Sequence, residues 1–281
     1  MDTSPENQFA QFREESLLRL ERGDIPVGAL RRLTALRGPQ AKLFTSELTV
    51  DAFAMTREAG LHPVSQVMGV GVFDVSGVRS ASSAPEKWDE GLTAALHRMW
   101  LEGRVCGAHI VTGITLRHAV PSDGPPWCRE FTVTGTAMTW AHRKDGDLAA
   151  GEPVLTNLGA LDCWKLLGHG YQPLALVTST ATGWAGVSLD SRSGELAKPS
   201  SAVRKLYAEA VAEIREEAAG LGALGLIGVS FEREMKEDGP WGLAVTVHAV
   251  ATAIARQRRV PVSAGNKDTG LEIMPVRRTS G

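Results

Sequence analysis

The chain has 281 residues, 43% of them hydrophobic and 22% charged, with a formal net charge of −2. That balance is ordinary for a globular protein of about two domains, and it offers no global field that would draw in nucleic acid or a membrane surface. No apolar run approaches the ~20 residues of a spanning helix, and the start MDTSPENQFAQFREESLL has no signal-peptide core. Three cysteines without a C-x-x-C pair make no disulfide framework, so the expected location is the reducing cytoplasm.

Residues 1–40 read as a helical arm. Ser4 before Pro5 is a cap followed by a first-turn proline, and Phe9, Phe12, Leu17 and Leu20 share one helical face. Gly23 ends that helix; Pro26 opens a second one carrying Val27, Leu30, Leu33 and Leu36, which Gly38-Pro39 closes. Such an arm either packs on its own body or docks on another protein.

From residue 41 onward the chain echoes itself. Phe44-Thr45-Ser46 returns as Leu155-Thr156-Asn157, and Asp51 and Phe53 return as Asp162 and Trp164, displaced by 111 positions (162 − 51, 164 − 53). Pro63-Val64 and Pro173-Leu174 each lead into an apolar strand-like run, residues 64–69 and 174–179. A helix follows in each half. Trp88, Leu92, Leu96 and Met99 mark its apolar face in the first, and Val203, Tyr207, Val211 and Ile214 do so 115 positions later (203 − 88).

The same offset carries Gly107-Ala108 onto Gly222-Ala223 and Gly113-Ile114-Thr115-Leu116 onto Gly228-Val229-Ser230-Phe231. Each half ends in an alternating run, residues 131–138 and 243–250, the pattern of a strand with one buried face. Each unit therefore reads as strand, strand, helix, strand, strand. The loops before the helices, residues 74–87 and 181–201, differ in length and chemistry, as loops on repeated scaffolds do.

The expected organisation is a helical arm over 1–40, a first unit over 41–140, a linker over 141–153, a second unit over 154–255 and a basic tail over 256–281. The tail loses periodicity and reads as disordered; its apolar island at 271–276 is a loosely packed end or a docking peptide.

Several of these strings resemble the YbjQ-like proteins, a family labelled heavy-metal-binding: Leu43-Phe44-Thr45-Ser46, Gly107-Ala108-x-x-Val111-x-Gly113-Ile114 and Val133-Thr134-Gly135-Thr136-Ala137. The resemblance covers roughly residues 43–139 and 154–254. It implies an α+β fold of two tandem YbjQ-like (dodecin-like) units, each an antiparallel sheet covered by one long helix, with the helical arm added. It further implies a ring-shaped homo-oligomer, most simply a pentamer. The second half departs from the pattern, with Leu224 where the first has His109, and Val247-His248-Ala249 in place of Gly-Thr-Ala.

The heavy-metal label makes Cys106 and His109 the candidate metal ligands, because soft metals need Cys and His to converge. Neither has a locally diagnostic spacing, and a free cysteine is commonly a small buried apolar residue. If residues 116–131 form a hairpin, Cys128 falls near His118 rather than Cys106. No Ser or Cys has a base at recognisable spacing, and Asp51 and Asp162 suit helix caps. Gly69-Val70-Gly71 lacks the rest of a dinucleotide-binding loop.

The expectation is a non-catalytic oligomeric scaffold or binding protein, not an enzyme, with no cofactor. The alternative is a heavy-metal or thiol-reactive binding protein holding a soft transition metal, and an uncharacterised enzyme comes third. The expected partners are copies of the chain itself, with a protein partner possible at the arm or tail.

Overall fold

The computed structural model describes residues 5–36, 45–58, 60–74, 84–122, 124–125, 127–141, 152–186, 197–237, 242–257 and 274–275. Most of the expected linker and tail, and the middle of both central loops, lie outside the described residues. The helices are α1 (Pro5–Glu21), α2 (Val27–Ala35), α3 (Val50–Glu58), α4 (Ala84–Val105), α5 (Ala160–Gly168) and α6 (Ala197–Gly220). The strands are β1 (Leu61–Asp74), β2 (Ile110–Ala119), β3 (Cys128–Trp140), β4 (Val154–Leu155), β5 (Tyr171–Gly186), β6 (Gly225–Glu237), β7 (Gly242–Arg256) and β8 (Met274–Pro275). They form two four-stranded sheets, ordered β1-β3-β2-β4 and β5-β7-β6-β8, so the fold is mixed α+β.

The chain divides into two compact units that do not follow a single cut. The first takes in Met1–Val72, Gly91–Ala119 and Glu130–Trp164; the second takes in Phe73–Glu90, Val120–Arg129 and Lys165–Gly281.

In the first unit β2 and β3 pair antiparallel from Ile110↔Met138 to Ala119↔Glu130, with a shift between Thr112 and Thr115. Gly113 sits at that shift with φ +66, a left-handed value that glycine adopts without steric cost. α4 lies so close to β1 that a Cβ on Gly69 would run into the Ala95 carbonyl oxygen. Leu92, Ala95 and Met99 of α4 are buried, as are Val67, Val111 and Val133 of the sheet. Leu96, expected on that face, is only half-buried. The face actually runs through Ala95, a residue too small to stand out in the sequence.

α2 packs on this unit. Leu33 is fully buried, and Arg32 donates to the Gln66 carbonyl at 3.2 Å and to the Glu102 carboxylate at 3.0 Å. Phe9, Leu17 and Leu18 of α1 remain exposed.

In the second unit β5 pairs with β7 along its whole length, from Tyr171↔Arg256 to Gly186↔Gly242. α6 covers one face with Leu206, Ala210, Ile214 and Ala218 over Val177, Ala181, Val245, Val247, Ala249, Ala251 and Ala253. Of the face expected for this helix only Ile214 is fully buried; Val203 and Tyr207 pack at its margin. Alanine lets helix and sheet approach closely, so the central seam runs one residue off the large side chains.

Other expectations are also corrected. The alternating run in β7 suggested one buried face, yet every residue from Val247 to Ile254 is buried, on both faces of the strand. β1 and β5 extend well beyond the runs at 64–69 and 174–179. Residues 181–186 are strand, where a loop was expected, because their backbone pairs with β7. No strand forms over 45–49; a short helix, α3, follows instead. Its cap is Thr49, whose hydroxyl accepts the Ala52 N–H at 3.2 Å, so Asp51 sits inside the first turn rather than at the cap.

Candidate functional site

The residues proposed as metal ligands have structural duties. The main chain at 106–108 terminates α4: the N–H groups of Gly107 and Ala108 return to the carbonyls of Arg104 and Gly103, with Gly107 at φ +76. This is a helix stop of the Schellman type, and it recurs at Gly222 (φ +72), where the N–H groups of Gly222 and Ala223 reach Ala219 and Ala218. Cys106 is buried, and its thiol donates to the Gly103 carbonyl at 3.2 Å. His109 Nδ1 accepts the Trp140 N–H at 2.9 Å, which occupies that lone pair and leaves the ring proton on Nε2.

Among the described residues no three His, Cys, Asp or Glu side chains gather as a metal site would need. Cys163 is fully buried, and burial pushes its thiol up to about 12; such a thiol is a poor nucleophile. Cys128 opens β3, beyond the Phe131 that pairs with His118.

A polar cluster that the sequence reading did not single out lies within the second unit. Thr180 and His248 are cross-strand partners on β5 and β7, and the Thr180 hydroxyl lies 3.0 Å from His248 Nδ1. Strand alternation places this pair on the face opposite α6, where the Trp88 ring lies 4.9 Å from the imidazole. Arg129 sits over Trp88 at 5.9 Å and reaches Glu234 at 3.4 Å. Asp89 hydrogen-bonds Thr180, but burial outweighs that bond and raises its carboxyl above the ordinary range. Burial, with the charge of Asp89 adding to it, also raises Glu217 and Glu213.

A hydroxyl beside an imidazole is the start of a nucleophilic pair. Here Thr180 is 3% and His248 5% exposed, so no substrate reaches them. The arrangement packs the first turns of α4 against β5 and β7. The only sequence signal for it was a lone histidine in an apolar alternating run.

The outer edges of the two sheets take different covering segments. The outer edge of β2 is covered by residues 154–158, which add in parallel. Val154 and Thr156 donate to the carbonyls of His109 and Val111 at 3.0 Å each, and Gly113 donates to the Leu158 carbonyl at 2.7 Å. The outer edge of β6 pairs with Met274 and Pro275 at Leu226 and Gly225. Beyond that pairing Phe231 and Met235 are exposed, and Leu224 just before it is exposed too.

No family model matches the chain, and no solved structure matches it. The curated proteins include one that is similar over most of its length: the encapsulin nanocompartment protein Rv1762c of Mycobacterium tuberculosis (strain ATCC 25618 / H37Rv). It is 26% identical over 237 residues, which cover 76% of this chain and 87% of that protein. This comparison points away from the YbjQ-like proteins and overturns that resemblance. The strings behind it explain the error in physical terms. Gly107-Ala108 is a helix stop and Gly113-Ile114 a strand bulge, and both report local backbone geometry that unrelated chains share. The heavy-metal label falls with the family. No helix among the described residues is long and apolar enough to cross a membrane.

Proposed function

We propose that this chain is a non-catalytic, self-associating component of an encapsulin-type nanocompartment. The observation that carries the reading is its likeness to Rv1762c along 87% of that protein, a likeness to a whole protein rather than to one motif. Two features of the fold support it. The Thr180–His248 pair is sealed from solvent, and Leu224, Phe231 and Met235 in and beside β6 are exposed apolar side chains of the kind that suits association.

The same proposal takes the two halves of the chain as copies of one unit. The three long strands of each sheet share one order, β1-β3-β2 and β5-β7-β6. Left-handed glycines also recur, at Gly60 and Gly170, Gly107 and Gly222, and Gly113 and Gly228. The test is electron microscopy of untagged protein purified at micromolar concentration. The expected result is discrete particles much larger than one 30.0 kDa chain; a field of monomers contradicts the reading.

A further inference from the structure

We propose that Glu102 and Glu217 are matched edge guards, each holding an outward N–H of an end strand so that neither β1 nor β5 pairs with a strand of another copy. Such guards close two surfaces to association, whatever the chain assembles into.

β1 and β5 are the end strands of the two sheets. Along a strand, alternate residues turn their N–H and C=O groups to the same side. In β1, main-chain groups meet side chains at that spacing, at Gln66, Met68 and Val70. The Gln66 N–H donates to the Thr45 hydroxyl at 3.2 Å, and the Gln66 carbonyl accepts from Arg32 at 3.2 Å. The Met68 N–H donates to the Glu102 carboxylate at 2.9 Å, and the Val70 carbonyl accepts from Arg98. Side chains thus occupy the groups that a further strand would need.

The second unit repeats the central contact. The Glu217 carboxylate accepts the Thr178 N–H of β5. Glu217 lies 115 positions after Glu102 (217 − 102), the offset of the two long helices. Thr178 lies 110 positions after Met68 (178 − 68), the offset of Pro63 and Pro173. Each glutamate stands three residues before the end of its helix (105 − 102, 220 − 217). A carboxylate there faces the negative end of the helix dipole, so helix formation gives no reason for it. A contact with the end strand does. The opposite sides of the sheets are closed by other means, since β2 pairs with β4 and β6 with β8.

A strand arriving at β1 or β5 must take the Met68 or Thr178 N–H away from a carboxylate. It breaks a charge-assisted hydrogen bond and buries a charge against its own backbone. Charges directed at an edge are one way in which sheets avoid pairing edge to edge.

The test compares the full chain with Glu217→Ala, alone and together with Thr178→Pro. Glu217 is exposed, so the single variant should melt as the wild type does. Proline removes the N–H in question and is tolerated in an end strand whose N–H faces outward. Centrifugation of concentrated samples should pellet about tenfold more Glu217→Ala than wild type, roughly the factor that one hydrogen bond to a charged group supplies. The pellet should show the infrared band of intermolecular β pairing. Adding Thr178→Pro should return both readings to those of the wild type. Should the proline variant misfold by circular dichroism, Glu102→Ala with and without Met68→Pro supplies the same two readings. A Glu217→Ala protein as dispersed as the wild type, or a pellet that proline leaves unchanged, overturns the guard. The mass of the wild type, one chain or many, sets only the baseline, so the assembly reading stands or falls separately.

Discussion

At the scale of single residues, glycine marks where the backbone has no room. At Gly69 a Cβ meets the Ala95 carbonyl and crowds the Met99 backbone, whereas at Gly183 it would meet only the tip of Leu206, at 3.1 Å. Backbone cannot yield as a leucine rotamer can. Gly69→Ala should therefore destabilise the protein by about 2–3 kcal/mol, and Gly183→Ala by less than ~1 kcal/mol; chemical denaturation of the two variants measures the contrast. Asp89 makes a second prediction at this scale. Its carboxyl is raised mainly by burial, so the folded protein holds that proton more tightly than the unfolded chain does. Stability from this group is fully present below the ordinary carboxylate range and is lost as pH rises through the raised value. Melting curves from acid to neutral pH should show Asp89→Asn more stable than the wild type near pH 7, with the difference closing as pH falls. A constant difference across that range would show that charge is not the cause.

The elements show what sequence could and could not give. α4 and α6 were legible because their apolar positions recur at helical spacing, and α1 and α2 because Gly23 and Pro26 separate them. The seams of α4 and α6 were misplaced because Ala95, Ala210 and Ala218 do the packing, and alanine carries little hydrophobic signal. The Thr180–His248 pair was illegible because its members lie 68 residues apart and meet only through the β5–β7 register. The sheet edges were equally hidden, since a strand's sequence does not say what lies beside it. At this scale α2 is tied to its unit through Glu102, whose carboxylate takes both Arg32 and the Met68 N–H. Glu102→Ala leaves that N–H without its acceptor and frees Arg32. A loss of about 1–3 kcal/mol is expected, and hydrogen exchange of the α2 amides should rise more than exchange in β7. Equal exchange in α2 of the two proteins would show that the arm is held by its apolar contacts, Leu33 foremost.

For the whole molecule, the expectation of a scaffold came from the absence of catalytic spacing, and the number five came with the YbjQ resemblance. The number falls with that family. The likeness to a nanocompartment protein, the sealed polar cluster and the exposed apolar side chains Phe231 and Met235 support a chain whose work is to associate with copies of itself. Light scattering on the untagged full-length protein, over a dilution series through micromolar concentration, tests that account most directly. It predicts a mass several times 30.0 kDa that falls towards one chain only on strong dilution; a constant 30.0 kDa at every concentration would contradict it.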